Sequence, residues 1–252
     1  FSPTNHDRIL ARIKTINPQG VTPIAKSLEQ AANDFPNDPN SRNIIILITD
    51  GKESCDMDPC KLSLALQKKG IFMRPFIVGI GAGQDYSKAF GCMGTYYNAT
   101  SVAQFKKAMK DVTNQALGKT RVKVELLDSY RKGIETNVNV SFVNSVTGET
   151  VYDFIHWRDG ANKTDWIEVD GVLTYDVVVY TTPKVVKKNV SFKGGSDNVV
   201  KVKTPQGDMR VKFTGPNEYK NLQVIVRKDG KTYTLDNIEA GAESKLLVGT
   251  YD

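Results

Sequence analysis

Ile44-Ile-Ile-Leu-Ile-Thr-Asp-Gly-Lys-Glu, residues 44–53, decides how this chain is read. Ile44 to Ile48 form an unbroken apolar run, and Thr49, Asp50 and Gly51 follow at once. An apolar run of this length predicts a strand over 43–49, buried on both faces as in a parallel sheet. The Asp-Gly pair predicts a sharp turn, which leaves a carboxylate at the carboxyl end of that strand. Asp50 on its own reads equally as a turn residue or as part of a site.

Helix and strand patterns alternate around this core. Residues 9–16 and 24–35 read as amphipathic helices, the second with Ile24, Leu28, Ala31 and Phe35 at helical spacing. A helix over 61–69 stops at Gly70, a second buried strand covers 71–80, and Tyr96 and Tyr97 mark a short third strand. Val102, Phe105, Ala108, Met109, Val112 and Ala116 place a helix over 102–117. Such alternation predicts an α/β, doubly wound, mostly parallel sheet, whose ligands bind at the carboxyl ends of the strands. Upstream, Gly20-Val-Thr-Pro-Ile opens the helix that begins near residue 24. Pro23 holds Thr22 extended and suits the first helical position, so the Thr22 hydroxyl stands at a helix start. A plain threonine N-cap is the ordinary alternative. Pairing this helix start with the Asp50 strand end brings two hard oxygen donors toward one rim, a chemistry suited to Mg²⁺, Mn²⁺ or Ca²⁺.

These motifs resemble the von Willebrand factor type A (vWA) family over residues 1–118. Thr49-Asp-Gly-Lys-Glu-Ser-Cys-Asp-Met-Asp-Pro-Cys is similar to the loop of a bacterial extracytoplasmic branch, and Phe76-Ile-Val-Gly-Ile-Gly to the next strand. Cys92-Met-Gly-Thr-Tyr-Tyr-Asn-Ala-Thr, with Phe105 and Met109, is similar to the final strand and helix. The resemblance implies a metal-ion-dependent adhesion site with Thr22 as second-loop ligand and Asp50 as third-loop acid. It also implies an opening Asp-x-Ser-x-Ser loop that Ser2-Pro-Thr-Asn does not supply, and three opening strands that are likewise not seen. Two loop ligands are too few for Mg²⁺, which wants about six oxygens, so this stretch alone is expected to hold metal weakly or not at all.

Beyond Gly118 the helical signal ends. Residues 121–127, 138–143, 150–155, 176–180, 185–192 and 198–202 read as strands separated by turns, which predicts an all-β sandwich. The texture repeats: Val122-Lys-Val-Glu against Val211-Lys-Phe-Thr, Asn139-Val-Ser-Phe-Val against Gln223-Val-Ile-Val, and Thr174-Tyr-Asp against Thr250-Tyr-Asp. The expected organisation is a partial vWA domain at 1–118, a first β-sandwich repeat at 119–204 and an incomplete second at 205–252, the natural chain continuing past 252. The repeats loosely resemble transthyretin-like or carboxypeptidase-regulatory modules.

Composition narrows the function classes. The net charge of +6 is thinly spread, and Lys184, Lys187 and Lys188 form the one dense basic patch, read as a solvated strand face. Basic clusters interleaved with aromatics are missing, so nucleic acid is not an expected partner. No stretch approaches the roughly 20 apolar residues of a membrane span. Two histidines and the absence of a phosphate loop leave no catalytic set, so the chain is not expected to be an enzyme. Of three cysteines, Cys55 and Cys60 are expected to pair and brace one loop, which implies an oxidising, extracytoplasmic setting; three reduced thiols is the alternative. Glu53, Asp56 and Asp58 form an acidic cluster beside the metal loop, a candidate contact for a partner or a second cation against a solvated loop. Trp157 and Trp166 flank Arg158-Asp-Gly-Ala-Asn-Lys, as sandwich core and rim or as a sugar- or protein-binding loop. The expected function is a cation-dependent protein-binding or adhesion module, a partner carboxylate completing the metal site. The competing expectation is a metal-independent scaffold of an envelope or surface assembly.

Overall fold

A computed structural model describes residues 3–36, 43–68, 76–81, 86–215 and 222–252. The chain divides into two compact units, Phe1–Phe105 and Lys106–Asp252.

The first unit holds α1 (Pro3–Lys14), α2 (Ile24–Asn33), β1 (Ile46–Thr49), α3 (Pro59–Lys68), β2 (Phe76–Ile80), α4 (Ser87–Phe90) and β3 (Thr95–Ala99). The strands pair in parallel in the order β1-β2-β3, with Ile46 opposite Phe76 and Phe76 opposite Thr95. Ile24, Leu28 and Ala32 recur at helical spacing on α2 and pack with Leu66, Ile77, Phe90 and Met93 into one core. β2, flanked on both sides, is buried from Phe76 to Gly79.

The expectation of two buried faces fails for β1. Ile46 is 39% and Ile48 48% exposed, because β2 is its only strand neighbour among the described residues and the core lies on one face, against Ile45 and Leu47. The helix expected over 9–16 is displaced toward the N-terminus, α1 running from Pro3 to Lys14, and its Ile9, Leu10 and Ile13 face solvent. The expected stop at Gly70 and the first half of the 71–80 strand lie outside the described residues.

A helix, α5 (Val102–Leu117), spans the boundary between the units. The second unit continues with β4 (Thr120–Leu127), β5 (Val138–Asn144), β6 (Thr150–His156), β7 (Trp166–Val169), β8 (Thr174–Val179), β9 (Val185–Ser191) and β10 (Asp197–Lys203). One sheet has the order β10-β4-β7, with β10 parallel and β7 antiparallel to β4. The other is antiparallel, β6-β5-β8-β9. Alternate residues point to opposite faces of a strand, so Val122, Val124 and Leu126 of β4 meet Val140 and Phe142 of β5 and Tyr175, Val177 and Val179 of β8 in one core. Phe142, Tyr175 and Phe192 stand with ring centroids 5.7–5.8 Å apart at its centre. Burial pushes the Tyr175 hydroxyl far above its ordinary range, and it donates to the Asp170 carbonyl at 2.8 Å.

Lys184, Lys187 and Lys188 are exposed. Two further sheets follow: β11 (Gln206–Arg210) pairs with β14 (Glu243–Leu247), and β12 (Gln223–Arg227) with β13 (Thr234–Glu239). Residues 211–214, matched by sequence to the first strand of the unit, lie outside any strand; the preceding polar run forms β11 because β14 offers it an edge.

Candidate functional site

The turn after β1 is pinned by Thr49. Its buried hydroxyl donates to the Gly51 carbonyl at 2.9 Å and accepts from the Gly51 N–H at 3.2 Å. Asp50 is thereby held at an exposed apex beyond the carboxyl end of β1.

The loop before α2 is zipped to the segment that follows this turn. Thr22 N–H donates to Ser54 Oγ at 2.6 Å, and Ser54 N–H returns to the Thr22 carbonyl at 3.2 Å. Pro23, expected at the first helical position, is instead the N-cap, and α2 has no side-chain cap from its own entry loop. The orphan donor that any helix start leaves is met by Glu53: its Oε2 accepts from Ala25 N–H at 2.6 Å, while Oε1 accepts from Cys55 N–H at 2.9 Å. A carboxylate at a helix N-terminus also sits favourably in the dipole field.

This clasp brings the two sequence-predicted ligands toward one rim. Thr22 Oγ1 lies 3.8 Å from where a Cβ on Gly51 would stand. Neither the Thr22 hydroxyl nor the Asp50 carboxylate is engaged in a hydrogen bond or ion pair with another described residue. Asp50 also lines a cavity of about 210 Å³ with Gly79, Ile80, Gly81, Tyr86, Tyr96 and Asn98, at the carboxyl ends of β1, β2 and β3. The Tyr96 hydroxyl is buried there without a partner and passes directly over Gly79, where no Cβ fits. Lys52 stands 5.3 Å above the Tyr86 ring.

The acidic cluster disperses into separate roles. Glu53 is spent on the clasp. Asp58 caps α3, its Oδ1 accepting from Cys60 N–H at 2.9 Å and Lys61 N–H at 3.2 Å, with Pro59 as first helical residue. Asp56 is exposed. The Asp58-Pro59 pair is a cap signal visible in the sequence; nothing local to Glu53 announces a partner 28 residues away.

The expected Cys55–Cys60 bridge is overturned. Cys60 pairs with Cys92, joining the first turn of α3 to the turn after α4 across a Cα separation of 5.6 Å. Cys55 is free, its N–H tied to Glu53. Folding places Cys60 beside α4, a proximity that closeness in sequence does not report.

A divalent cation asks for hard oxygens. The Thr22 hydroxyl and Asp50 carboxylate match that chemistry as part of a coordination shell, but among the described residues no three His, Cys, Asp or Glu side chains cluster. No helix among the described residues is long and apolar enough to cross a membrane.

The family model of the von Willebrand factor type A domain matches residues 2–124, in keeping with the parallel sheet and helices of the first unit. Domains of this type commonly serve as protein-interaction modules. Two Bacillus subtilis (strain 168) proteins are similar to part of the chain. One, named uncharacterized protein YwmC, is 34% identical over 87 residues, covering 34% of this chain and 37% of that protein. The other, uncharacterized protein YwmD, is 31% identical over 102 residues, covering 38% and 46%. The chain thus spans less than half the length of these relatives. No solved structure matches it significantly.

Proposed function

We propose that the chain is the binding part of an extracytoplasmic protein that holds a partner protein through a divalent cation carried on Thr22 and Asp50. The observation that carries this reading is a pair of oxygen groups at one rim that no other described residue engages: the Thr22 hydroxyl beside Gly51, and the Asp50 carboxylate at the strand end. When bound, the cation supplies a Lewis-acid position that a partner's carboxylate completes. The chain's own residues do the positioning. Thr49 fixes the turn, Ser54 and Glu53 tie it to the start of α2, and Asp50 is left facing the cavity. Remaining oxygens come from water and from the partner. No catalytic role is assigned.

The Cys60–Cys92 disulfide supports an oxidising compartment. The second unit acts as a spacer or further contact surface, its last strands repeating its first. Support for the repeat comes from the matching hairpins β5–β6 and β12–β13, and from Tyr175 and Tyr251, which pair with Asn144 and Lys228 at equivalent strand ends.

The test is Mn²⁺ titration of the full-length protein, read by paramagnetic broadening, together with partner binding with and without chelator. Broadening centred on Thr22 and Asp50, lost in Asp50→Ala and weakened in Thr22→Val, is expected. Partner binding of equal strength in chelator would reject the cation and favour the scaffold reading.

A further inference from the structure

The second unit contains a cavity of about 140 Å³, separate from the Asp50 loops, whose lining includes two residues, His156 and Thr164, that each carry a buried polar atom without a partner among the described residues. His156, at the end of β6, is 2% exposed. Its Nε2 lies 3.0 Å from the Val124 carbonyl. A carbonyl only accepts, so Nε2 carries the proton. Burial first, and then the charge of Arg158, push the ring below its ordinary value against the opposing pull of the Val124 carbonyl, Glu125 and the ring's own backbone carbonyl. Nδ1 is therefore a lone-pair acceptor with nothing to accept from. Thr164, 7% exposed and bridged to Arg158, offers an equally unpartnered hydroxyl.

An orphaned buried acceptor and an orphaned buried hydroxyl are each costly, and such groups in native proteins ask for an explanation. Both line one space with Val124 and Ile167, and Trp157, 58% exposed, lines it as well. Asp165, exposed on the same lining, disfavours an anion. Nδ1 demands an O–H or N–H donor, Thr164 accepts or donates, and an exposed indole offers a flat surface for C–H groups. A ligand that carries hydroxyls on one edge and an apolar face on the other meets all three demands.

We propose that this cavity is a carbohydrate subsite, in which a sugar stacks on Trp157 and turns a hydroxyl toward His156 Nδ1 and Thr164 Oγ1, whose side chains shift to meet it. Trp166 is not part of it, its ring being covered by Arg121 at 5.4 Å and Lys123 at 5.9 Å.

The experiment titrates the full chain with glucose, galactose, mannose and N-acetylglucosamine, followed by the His156 imidazole nitrogen resonances and the Trp157 indole signal. Saturable change at both positions with at least one sugar is expected. Thr164→Val, which removes a hydroxyl without changing shape, weakens binding about tenfold, as expected for one hydrogen bond. Trp157→Ala abolishes it, and Trp157→Phe retains part. Unfolding midpoints of the variants confirm that the unit is intact. No response to any of the four sugars, a response only to serine- or threonine-bearing peptides, or sugar binding unchanged in Thr164→Val and Trp157→Ala would each overturn the proposal and leave hydration as the role of the cavity.

Discussion

Glu53→Ala is the sharpest perturbation of the loop geometry. The wild-type carboxylate accepts from Ala25 N–H at 2.6 Å and from Cys55 N–H at 2.9 Å, and so joins the start of α2 to the segment beyond the Asp50 turn. Hydrogen bonds to a charged group contribute about 1.5–3 kcal/mol each. Glu53 is half-buried, so water replaces part of the loss, and about 2 kcal/mol for the pair is the expected local destabilisation. At about 1.4 kcal/mol per decade, this corresponds to roughly 30-fold faster amide exchange at Ala25 and Cys55. Hydrogen exchange followed by NMR on the whole chain reads both amides directly. Glu53→Gln should lie between, since one amide oxygen still accepts while the NH₂ faces a second donor. Asp56→Ala, an exposed neighbour with no such role, should stay within about 0.5 kcal/mol. Unchanged exchange at Ala25 and Cys55 in Glu53→Ala would refute the clasp.

Removing the Cys60–Cys92 bridge, by Cys60→Ala with Cys92→Ala, opens a ring with a sequence separation of 32. Chain entropy assigns such a ring about 3–4 kcal/mol, to be read from the urea midpoint with and without the double substitution. In unreduced wild-type protein only Cys55 should take up an alkylating reagent; mass-mapped label on Cys92 would contradict the pairing. Burial first, then Glu53 and Asp56, push the Cys55 thiol up, so its labelling should still be accelerating as pH passes 9.0. His156 gives the second unit a pH dependence. Its folded value lies below the ordinary 6.5, so under acid the unfolded chain binds the proton that the folded chain refuses. Stability should therefore fall as pH drops below about 6.5. Urea midpoints across pH 5–8, compared with His156→Gln, check this, and equal slopes would sink it.

Segments whose periodicity was long and self-sufficient were legible from sequence. Ile24 and Leu28 announce α2, though Ala32 and not Ala31 completes its buried face and the helix ends at Asn33 before Phe35, and Val122, Val124 and Leu126 announce β4, because a buried face writes itself into the local pattern. Features decided by neighbours were not legible. β7 is four residues long with an exposed tryptophan, and it is a strand only because β4 accepts it antiparallel. The polar run of β11 likewise depends on β14. Ile46 and Ile48 read as core, yet nothing in the run itself states how many neighbours its strand will have. At the candidate site, Thr22 and Asp50 stand as candidates on their helix-start and strand-end motifs. The Glu53 clasp, the lone Tyr96 hydroxyl and the Cys60–Cys92 pairing depend on chain segments that meet only after folding.

The parallel ladder between β4 and β10 bears on how the protein is made. Arg121 and Asp197, aligned in register and joined by two hydrogen bonds, lie 76 residues apart. During synthesis β4 emerges early and waits, one edge open, until Lys203 has left the ribosome. The seven strands from Thr120 to Lys203 therefore settle late and together, and a gene split or protease cut before Lys203 should yield pieces that clump rather than half-working products.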